Sequence, residues 1–529
     1  MGKYLNTKNH CLNIVWIIIN AILSAITAVL LTYSTNAIFD RNIKKLFFWC
    51  LINLAVWILL LLSDYYQAFF QEKFVQKICA DLRVKIATDM SEDTYSHFHK
   101  MNTGQYISQY TNDVGMIEKN YLNNLYLVLS SIFAVISSAI ALALYSYYLL
   151  AATVVLAGIL MTLPNLLSKP MGKVTEELSS SNENLNSEIS NILNGFDVLY
   201  SYNRLSVLPK LVNKYARQYS KNKVDYTKTS KRVENSIGSI SIFCQVGIDL
   251  LTGILAIGQI IPMGAISSTG NLAATLFNSL SQIGSEYTQI KATNSIVEKL
   301  KVNLTQQKKA MDSQSELPSF EKNIQIKNLS YSVGGKDIFK DLNLSINKGE
   351  KVLITGNSGV GKSTLLKIIS GQIKNYEGQV LIDGLDLKKI DYKSLNRNIT
   401  YIDQKPYLFA ESIRNNVTLW RQNIEEKLFK NSLNMSKVDF LNNDDAVVQD
   451  DASNLSIGQQ QRVALARYYI KGTPIALLDE GTSALDYDTS SIVERNLLDD
   501  QKRTVIEVAH KFNKENEKYF TQTINLENV

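Results

Sequence analysis

Lys351-Val-Leu-Ile-Thr runs directly into Gly356-Asn357-Ser358-Gly359-Val360-Gly361-Lys362-Ser363-Thr364, and an apolar run, Leu-Leu-Lys-Ile-Ile, follows. Glycines at this spacing let successive backbone N–H groups curl around a phosphate, and a helix starting there adds the positive end of its dipole. In such a loop Lys362 reaches the β- and γ-phosphates and the Ser363 hydroxyl ligates Mg²⁺. A glycine-rich turn without a ligand is the plainer alternative. The strand before and the helix after make it the weaker one. Further on, Ile475-Ala-Leu-Leu-Asp479-Glu480 is an apolar strand ending in two carboxylates. Beside a phosphate loop these supply what phosphoanhydride hydrolysis needs: Asp479 to hold Mg²⁺ through water and Glu480 to polarise the attacking water.

A parallel sheet must position these groups, because both strands then deliver their ends to one carboxyl edge. Residues 321–529 read as an α/β P-loop nucleotide-binding domain opening with the alternating strand Ile324-Gln-Ile-Lys-Asn-Leu-Ser-Tyr331. Residues 301–320 are polar, contain Pro318, and read as a linker. Residues 1–300 carry apolar runs at 14–38, 46–69, 121–144, 149–167 and 237–261, each near the roughly 20 residues that cross a bilayer as a helix. A sixth candidate, 264–285, is rich in small residues that permit close helix packing. The expected fold is a multidomain membrane protein, an all-α six-helix transmembrane domain followed by the α/β domain.

The chain has 529 residues, 46% hydrophobic and 20% charged, with a net charge of +6. That charge gives no argument for a nucleic-acid partner and fits lysine-rich cytoplasmic segments of a membrane protein. The basic residues concentrate in the long gaps 70–120 and 168–236, among them Lys73, Lys77, Arg83, Lys173, Lys214 and Arg232. The positive-inside rule places these gaps and both termini in the cytoplasm, with Arg41, Lys44 and Lys45 running against it. The gaps read as helical extensions, with Ile189, Ile192, Leu193 and Phe196 at helical spacing. Cys11, Cys50, Cys79 and Cys244 form no CxxC pair and read as reduced and structural. The run from Ile14 is too long for a secretory signal and reads as a retained span.

Together these features resemble the ATP-binding cassette (ABC) transporters, specifically the exporter-type half-transporter with its membrane domain fused ahead of one nucleotide-binding domain. The resemblance covers nearly the whole chain and is most specific over 351–510. Gln404, in Tyr-Ile-Asp-Gln-Lys-Pro-Tyr-Leu-Phe, matches the family's glutamine loop, which touches Mg²⁺ and faces the membrane domain. Glu411-Ser-Ile-Arg-Asn-Asn416 fits the exporter branch. Leu455-Ser456-Ile457-Gly458-Gln459 resembles the signature, normally Leu-Ser-Gly-Gly-Gln, which completes the ATP site of the opposite subunit. Ser483-Ala-Leu-Asp486 looks like the loop that crosses the dimer seam, and His510 sits like the switch histidine that contacts the γ-phosphate. Thr103–Val114 and Glu188–Leu199 resemble stretches in the two gaps where the family places short coupling helices. The resemblance thus implies ATP and Mg²⁺ as cofactors and Glu480 and His510 as catalytic residues. It also implies a second half-transporter subunit, identical or different, a lipid bilayer and a transported substrate. A peptide, including a bacteriocin-like one, is the first expectation for the cargo, with a lipid or drug close behind. A membrane-tethered ATP sensor or immunity component that does not pump is the alternative from another class.

Three departures stand out. Ile457 replaces a small residue; a β-branched side chain resists left-handed φ, so it costs little at ordinary angles and weakens the half-site if it must approach the γ-phosphate. Val333 stands where the family carries an aromatic that stacks on the base; Tyr331, on the same strand face by simple alternation, is the candidate substitute. Val447–Ser453 keeps only the acidic character of the family's exporter loop. In the membrane half, Asp249 lies near the centre of 237–261 with Gln245 one turn earlier. An ionisable group at mid-bilayer marks a functional site or a wet cavity and favours a cationic or polar cargo group; a structural polar pair is the alternative. About a dozen residues precede the first run, so no N-terminal cysteine peptidase is expected.

Overall fold

The computed structural model describes residues 8–160, 163–311, 315–440, 446–509 and 514–527. The chain divides into two units, Met1–Gln307 and Lys308–Val529.

The first unit is helical. α1 (Lys8–Phe39) and α2 (Ile43–Ser91) form a hairpin. Asn42 caps α2 by accepting the Lys45 N–H at 3.1 Å. Lys45 also lies 3.8 Å from Asp40, so part of the basic cluster at this turn is offset locally. α3 (Tyr95–Phe98) is one short turn. α4 (Thr103–Ser108), α5 (Val114–Ile117) and α6 (Asn124–Tyr145) form one long helix interrupted by π-helical turns at Gln109–Asp113 and Glu118–Asn123. Then come α7 (Tyr147–Leu160), α8 (Leu163–Asn194), the short α9 (Phe196–Ser201), α10 (Leu208–Ile257) and α11 (Ala265–Met311).

Among the described residues four helical stretches are long and apolar enough to cross a membrane: His10–Phe39, Ile43–Ser91, Thr103–Tyr145 and Leu205–Ile257. α7 is apolar but short. All but the first residue of the expected span 264–285 falls inside α11, whose Asn, Ser, Thr and Gln content lowers its hydropathy. The count of six is therefore met only approximately by composition. α2 has 49 residues and α10 has 50, which at 1.5 Å per residue is roughly 75 Å, far beyond a hydrocarbon layer of about 30 Å. Their polar halves must extend out of the bilayer. Phe47, Leu51, Leu54 and Ile58 on α2 are exposed, as expected of side chains facing lipid. Leu142, Ile237, Ile248 and Phe277 are fully buried and tie α6, α10 and α11 into one core. α4 meets α8 at Gly104, where a Cβ would lie 2.8 Å from Ser187 Cα, so only glycine fits.

The second unit is α/β. It runs β1 (Asn323–Val333), β2 (Lys336–Asn347), β3 (Lys351–Thr355), α12 (Lys362–Ile369), β4 (Glu377–Ile382) and β5 (Leu385–Asp386). It continues through α13 (Tyr392–Asn398), β6 (Ile399–Ile402), α14 (Ile413–Thr418), α15 (Glu426–Met435) and α16 (Ile457–Lys471). β7 (Ile475–Asp479), α17 (Tyr487–Leu498), β8 (Thr504–Val508) and β9 (Gln522–Asn525) complete it. An antiparallel sheet has the order β2-β1-β4-β5, and a parallel sheet has the order β6-β7-β8-β3-β9. Every residue of β7 and β8 is buried, the mark of strands covered on both faces. The carboxyl ends of β3 and β7 lie on the same edge, one strand apart, with β8 between them.

Candidate functional site

The loop from β3 to α12 owes its course to three glycines. Gly356, Gly359 and Gly361 have φ of 140°, 86° and 105°, where side-chain-bearing residues are strained. Asn357, Ser358 and Gly359 form its exposed crest, Val360 and Thr364 flank it half-buried, and Lys362 is buried at the start of α12. Lys362 Nζ donates to the carbonyls of Gly356 at 2.7 Å and Asn357 at 3.0 Å, which fixes the ammonium inside the curl of the loop.

The two carboxylates reach this loop from β7. Ser363 Oγ donates to Asp479 Oδ1 at 2.8 Å, and Tyr401 donates its hydroxyl to Asp479 Oδ2 at 2.9 Å. Glu480 takes φ of 51°, uncommon for a residue with a side chain, and its N–H is held by Val508 O at 2.9 Å. Its Oε2 accepts from Gln404 Nε2 at 2.7 Å. Gln404 is thus brought to Glu480 and not to the Ser363–Asp479 pair. His510 lies outside the described residues.

The signature segment begins α16. Ser456 Oγ accepts the Gln459 N–H at 3.2 Å and Gln459 Oε1 accepts the Ser456 N–H at 2.9 Å, a reciprocal cap. The N–H groups of Ile457 and Gly458 are left at the helix end. Ile457 stands in ordinary helical conformation and is 49% exposed. Gly458 is the position with no room: a Cβ there would lie 2.5 Å from Ala484 O. Asp486 caps α17 by accepting the Thr489 N–H at 3.0 Å, and this bond holds its carboxyl below the ordinary value.

Tyr331 and Val333 do not share an environment. Between the pairs Tyr331–Phe339 and Ser332–Asp337 the extra residue, Ile338, lies on β2, so the bulge is in the partner strand. Tyr331 is half-buried against the domain core whereas Val333 is exposed.

Sequence reasoning missed three residues. Gln461 is fully buried; its Nε2 donates to Gln404 O at 3.0 Å and Glu480 O at 3.2 Å, and its Oε1 accepts the Ala484 N–H at 3.2 Å. It joins the glutamine loop, the end of β7 and the loop 483–486. Tyr401 is the second. Arg467 is the third, donating to Asn416 O at 2.7 Å and Tyr407 O at 2.8 Å, with burial lowering it to about 10. Gln461 was findable: with Leu465 and Tyr468 it lies on the buried stripe of α16, a polar residue on a core face.

A helical membrane unit joined to a parallel-sheet unit with this loop, these carboxylates and this capped helix defines an ATP-dependent membrane transporter. The sequence profile described as ABC transporter transmembrane region matches residues 10–280, and that described as ABC transporter matches 339–483. The chain belongs to the ABC transporter family. An ATP-dependent lipid A-core flippase of Desulfotalea psychrophila is 26% identical over 471 residues, 84% of this chain and 80% of that protein. A lactococcin-A transport/processing ATP-binding protein of Lactococcus lactis is 25% identical over 466 residues, 87% of this chain and 65% of that protein. The solved structure of a bacterial Atm1-family ABC exporter with ATP bound shares the fold, with a TM-score of 0.78 at 18% identity, covering 94% of this chain and 91% of the other. The protein is a membrane protein of exporter architecture that binds ATP and couples its hydrolysis to transport.

Proposed function

We propose that this chain is one half of a two-subunit exporter, with its phosphate loop working against the signature helix of a partner. The observation that carries the reading is the division of the bonded groups. Ser363, Asp479 and Tyr401 are joined by hydrogen bonds, as are Gln404, Glu480 and Gln461. The side chains of Ser456 and Gln459 cap each other's N–H groups, and the helix end they frame can meet a phosphate from elsewhere. The hydroxyl and carboxylate oxygens of Ser363 and Asp479 meet at one point, a hard-oxygen donor set that fits Mg²⁺. Ser363 and Asp479 would hold the ion, which neutralises phosphate charge when bound, while Gln404 bonds Glu480. Glu480 would hold the attacking water, and His510 would contact the γ-phosphate. The basic residues of the long helical gaps support a cytoplasmic placement for the nucleotide-binding domain and both termini.

For the cargo, a polar peptide is favoured over a lipid. Asn271, Thr275, Asn278 and Gln282 recur at helical spacing along α11, none of them fully buried. Asp249 is exposed on α10 against Gly270 of α11, and Gln245 Nε2 is buried without a hydrogen-bond partner among the described residues. A path lined this way solvates amides and cations better than acyl chains. A heterodimer is the second reading, favoured by the exposed Ile457 side chain at the signature helix end.

The test is Glu480→Gln in the purified full chain. With ATP it should bind nucleotide, lose hydrolysis and run as a closed dimer on size exclusion. A monomer in ATP that becomes a dimer only with a different half-transporter supports the heterodimer. A variant that hydrolyses ATP at the wild-type rate sinks the proposed role of Glu480.

A further inference from the structure

Below the loop that carries Glu480, two carboxyl groups share one hydroxyl. Glu507 lies on β8 between Leu353 of β3 and Leu478 of β7 and is fully buried. Glu494 is buried on α17. The Thr482 hydroxyl oxygen is 3.1 Å from Glu494 Oε1 and 3.3 Å from Glu507 Oε1. A hydroxyl has one hydrogen, so it makes two full bonds here only by donating to one of these oxygens and accepting from the other. In that arrangement the group it accepts from is a protonated carboxyl.

The remaining partners say which one. Glu494 accepts Asn516 Nδ2 at its Oε2, 3.0 Å away, so both its oxygens have donors in reach and it is served as a carboxylate. Among the described residues Glu507 Oε2 is buried with no hydrogen-bond partner. An ionised carboxylate with a bare oxygen, next to a second carboxylate inside a sheet, is the costly arrangement; a neutral carboxyl with a bare carbonyl oxygen is far cheaper. We propose that Glu507 is a positioning residue of ATP hydrolysis, protonated at neutral pH, donating to Thr482, which donates in turn to Glu494. This chain of bonds clamps the loop from Glu480 to Asp486 onto β8 and α17.

The loop hangs from this clamp. Leu485 N–H bonds to Thr482 O and Ser483 N–H bonds to Glu480 O, both at 3.1 Å, while Glu480 itself is held to β8 through Val508 O. Burial, with the Glu494 charge added, pushes the Glu507 carboxyl up to about 8. Among the described residues the charged group that faces it is Glu494; Thr482 and Asn516 are neutral and its strand neighbours are leucines. Ionisation would set two carboxylates across one hydroxyl that can serve only one of them. Thr482 would then shift, and Glu480, two residues away at positive φ, would shift with it.

The experiment is the pH profile of ATPase activity of the assembled transporter for the wild type, Glu507→Gln and Glu507→Leu. The wild type should lose kcat with an apparent pKa near 8. Glu507→Gln, whose amide N–H replaces the acid proton, should keep the neutral-pH rate within about twofold and lack that alkaline limb. Glu507→Leu, which cannot donate, should lose about tenfold in kcat with little change in ATP KM. An alkaline limb unchanged in Glu507→Gln, or equal losses in the glutamine and leucine variants, overturns the proposal. Should Glu507→Gln fail to fold, infrared spectra of the wild type and Thr482→Val decide. A protonated-carboxyl band at neutral pH that shifts when Thr482 loses its hydroxyl supports the clamp, and its absence or its indifference to Thr482 refutes it.

Discussion

Replacing Gly458 by alanine should uncouple activity from stability. The added Cβ would lie 2.5 Å from Ala484 O and 3.3 Å from Leu485 Cδ2. An ordinary C···O approach is about 3.3 Å or more, so the start of α16 and the loop 483–486 must separate by roughly 0.8 Å. Both sides of the contact are fixed. Gly458 is in the first turn of a capped helix, and the Ala484 N–H is held by Gln461 Oε1. Overpacking of this kind costs about 1–3 kcal/mol. Alanine returns about 1 kcal/mol of helix propensity, so the net loss of stability is only about 0–2 kcal/mol. The loss in rate should be larger, because Gln461 also bonds Glu480 O and a misplacement of about 1 Å at a reacting centre can cost on the order of 100-fold. ATPase turnover and thermal unfolding, measured side by side on the full chain in lipid, should show at least a tenfold fall in kcat beside a shift of a few degrees in Tm. Wild-type turnover, or a loss of activity fully accounted for by unfolded protein, would refute the close-contact argument.

Ile457→Gly should raise ATPase turnover severalfold, because the backbone there is ordinary and the exposed side chain is the only bulk removed; an unchanged or lower rate counts against this. Gln461→Leu keeps the volume but removes three hydrogen bonds, to Gln404, Glu480 and Ala484, so kcat should drop at least tenfold with little change in ATP affinity, read by nucleotide binding at equilibrium. Asp249→Asn should leave basal ATPase intact and abolish stimulation by cationic peptides; stimulation that survives removes Asp249 from the cargo path. Glu507 gives a stability prediction with a defined sign. Its folded-state value of about 8 lies above the unfolded value of 4.5. The folded state therefore holds a proton that the unfolded state has lost, and stability falls as pH rises between these values, by up to about 1.4 kcal/mol per unit. Glu507→Gln should flatten this slope in thermal melts from pH 5 to 8; parallel slopes would show that Glu507 does not titrate in this window.

What the sequence disclosed was local. The phosphate loop needs nine consecutive residues with three glycines, and the strand Ile475–Asp479 needs only an apolar run with an acidic end, so both could be read without a fold. The groups that organise them could not. Tyr401 meets Asp479 across 78 positions, and Gln461 meets Gln404 across 57; only the strand order brings them together. Tyr331 is half-buried against the domain core while Val333 is exposed, a difference that alternation along one strand does not foretell. α11 was ambiguous because polar residues on one face dilute a hydropathy average that takes no account of faces. The Thr482–Glu494–Glu507 cluster was invisible because a lone glutamate in the run Thr-Val-Ile-Glu-Val gives no sign of a second carboxylate arriving from α17.

The two residues at the start of α16 show how a departure from a family pattern can be judged by geometry. A pair of adjacent glycines invites the assumption that both are needed for the same reason. Here the second is held by a contact inside the domain and the first is not. Gly458 is confined by Ala484 O, whereas Ile457 meets no such wall, takes helical angles and projects outward from the same capped turn. The isoleucine therefore costs the fold of its own domain little. Its cost falls on whatever approaches the helix end, which in the proposed assembly is a phosphate bound to the other subunit. An identical partner would carry that cost at both sites, and a different one with a small residue at this position would carry it at one. Ile457→Gly consequently separates the two assemblies: with two identical subunits, the turnover gain belongs to both sites, and in a heterodimer it is confined to the site that this chain's signature completes.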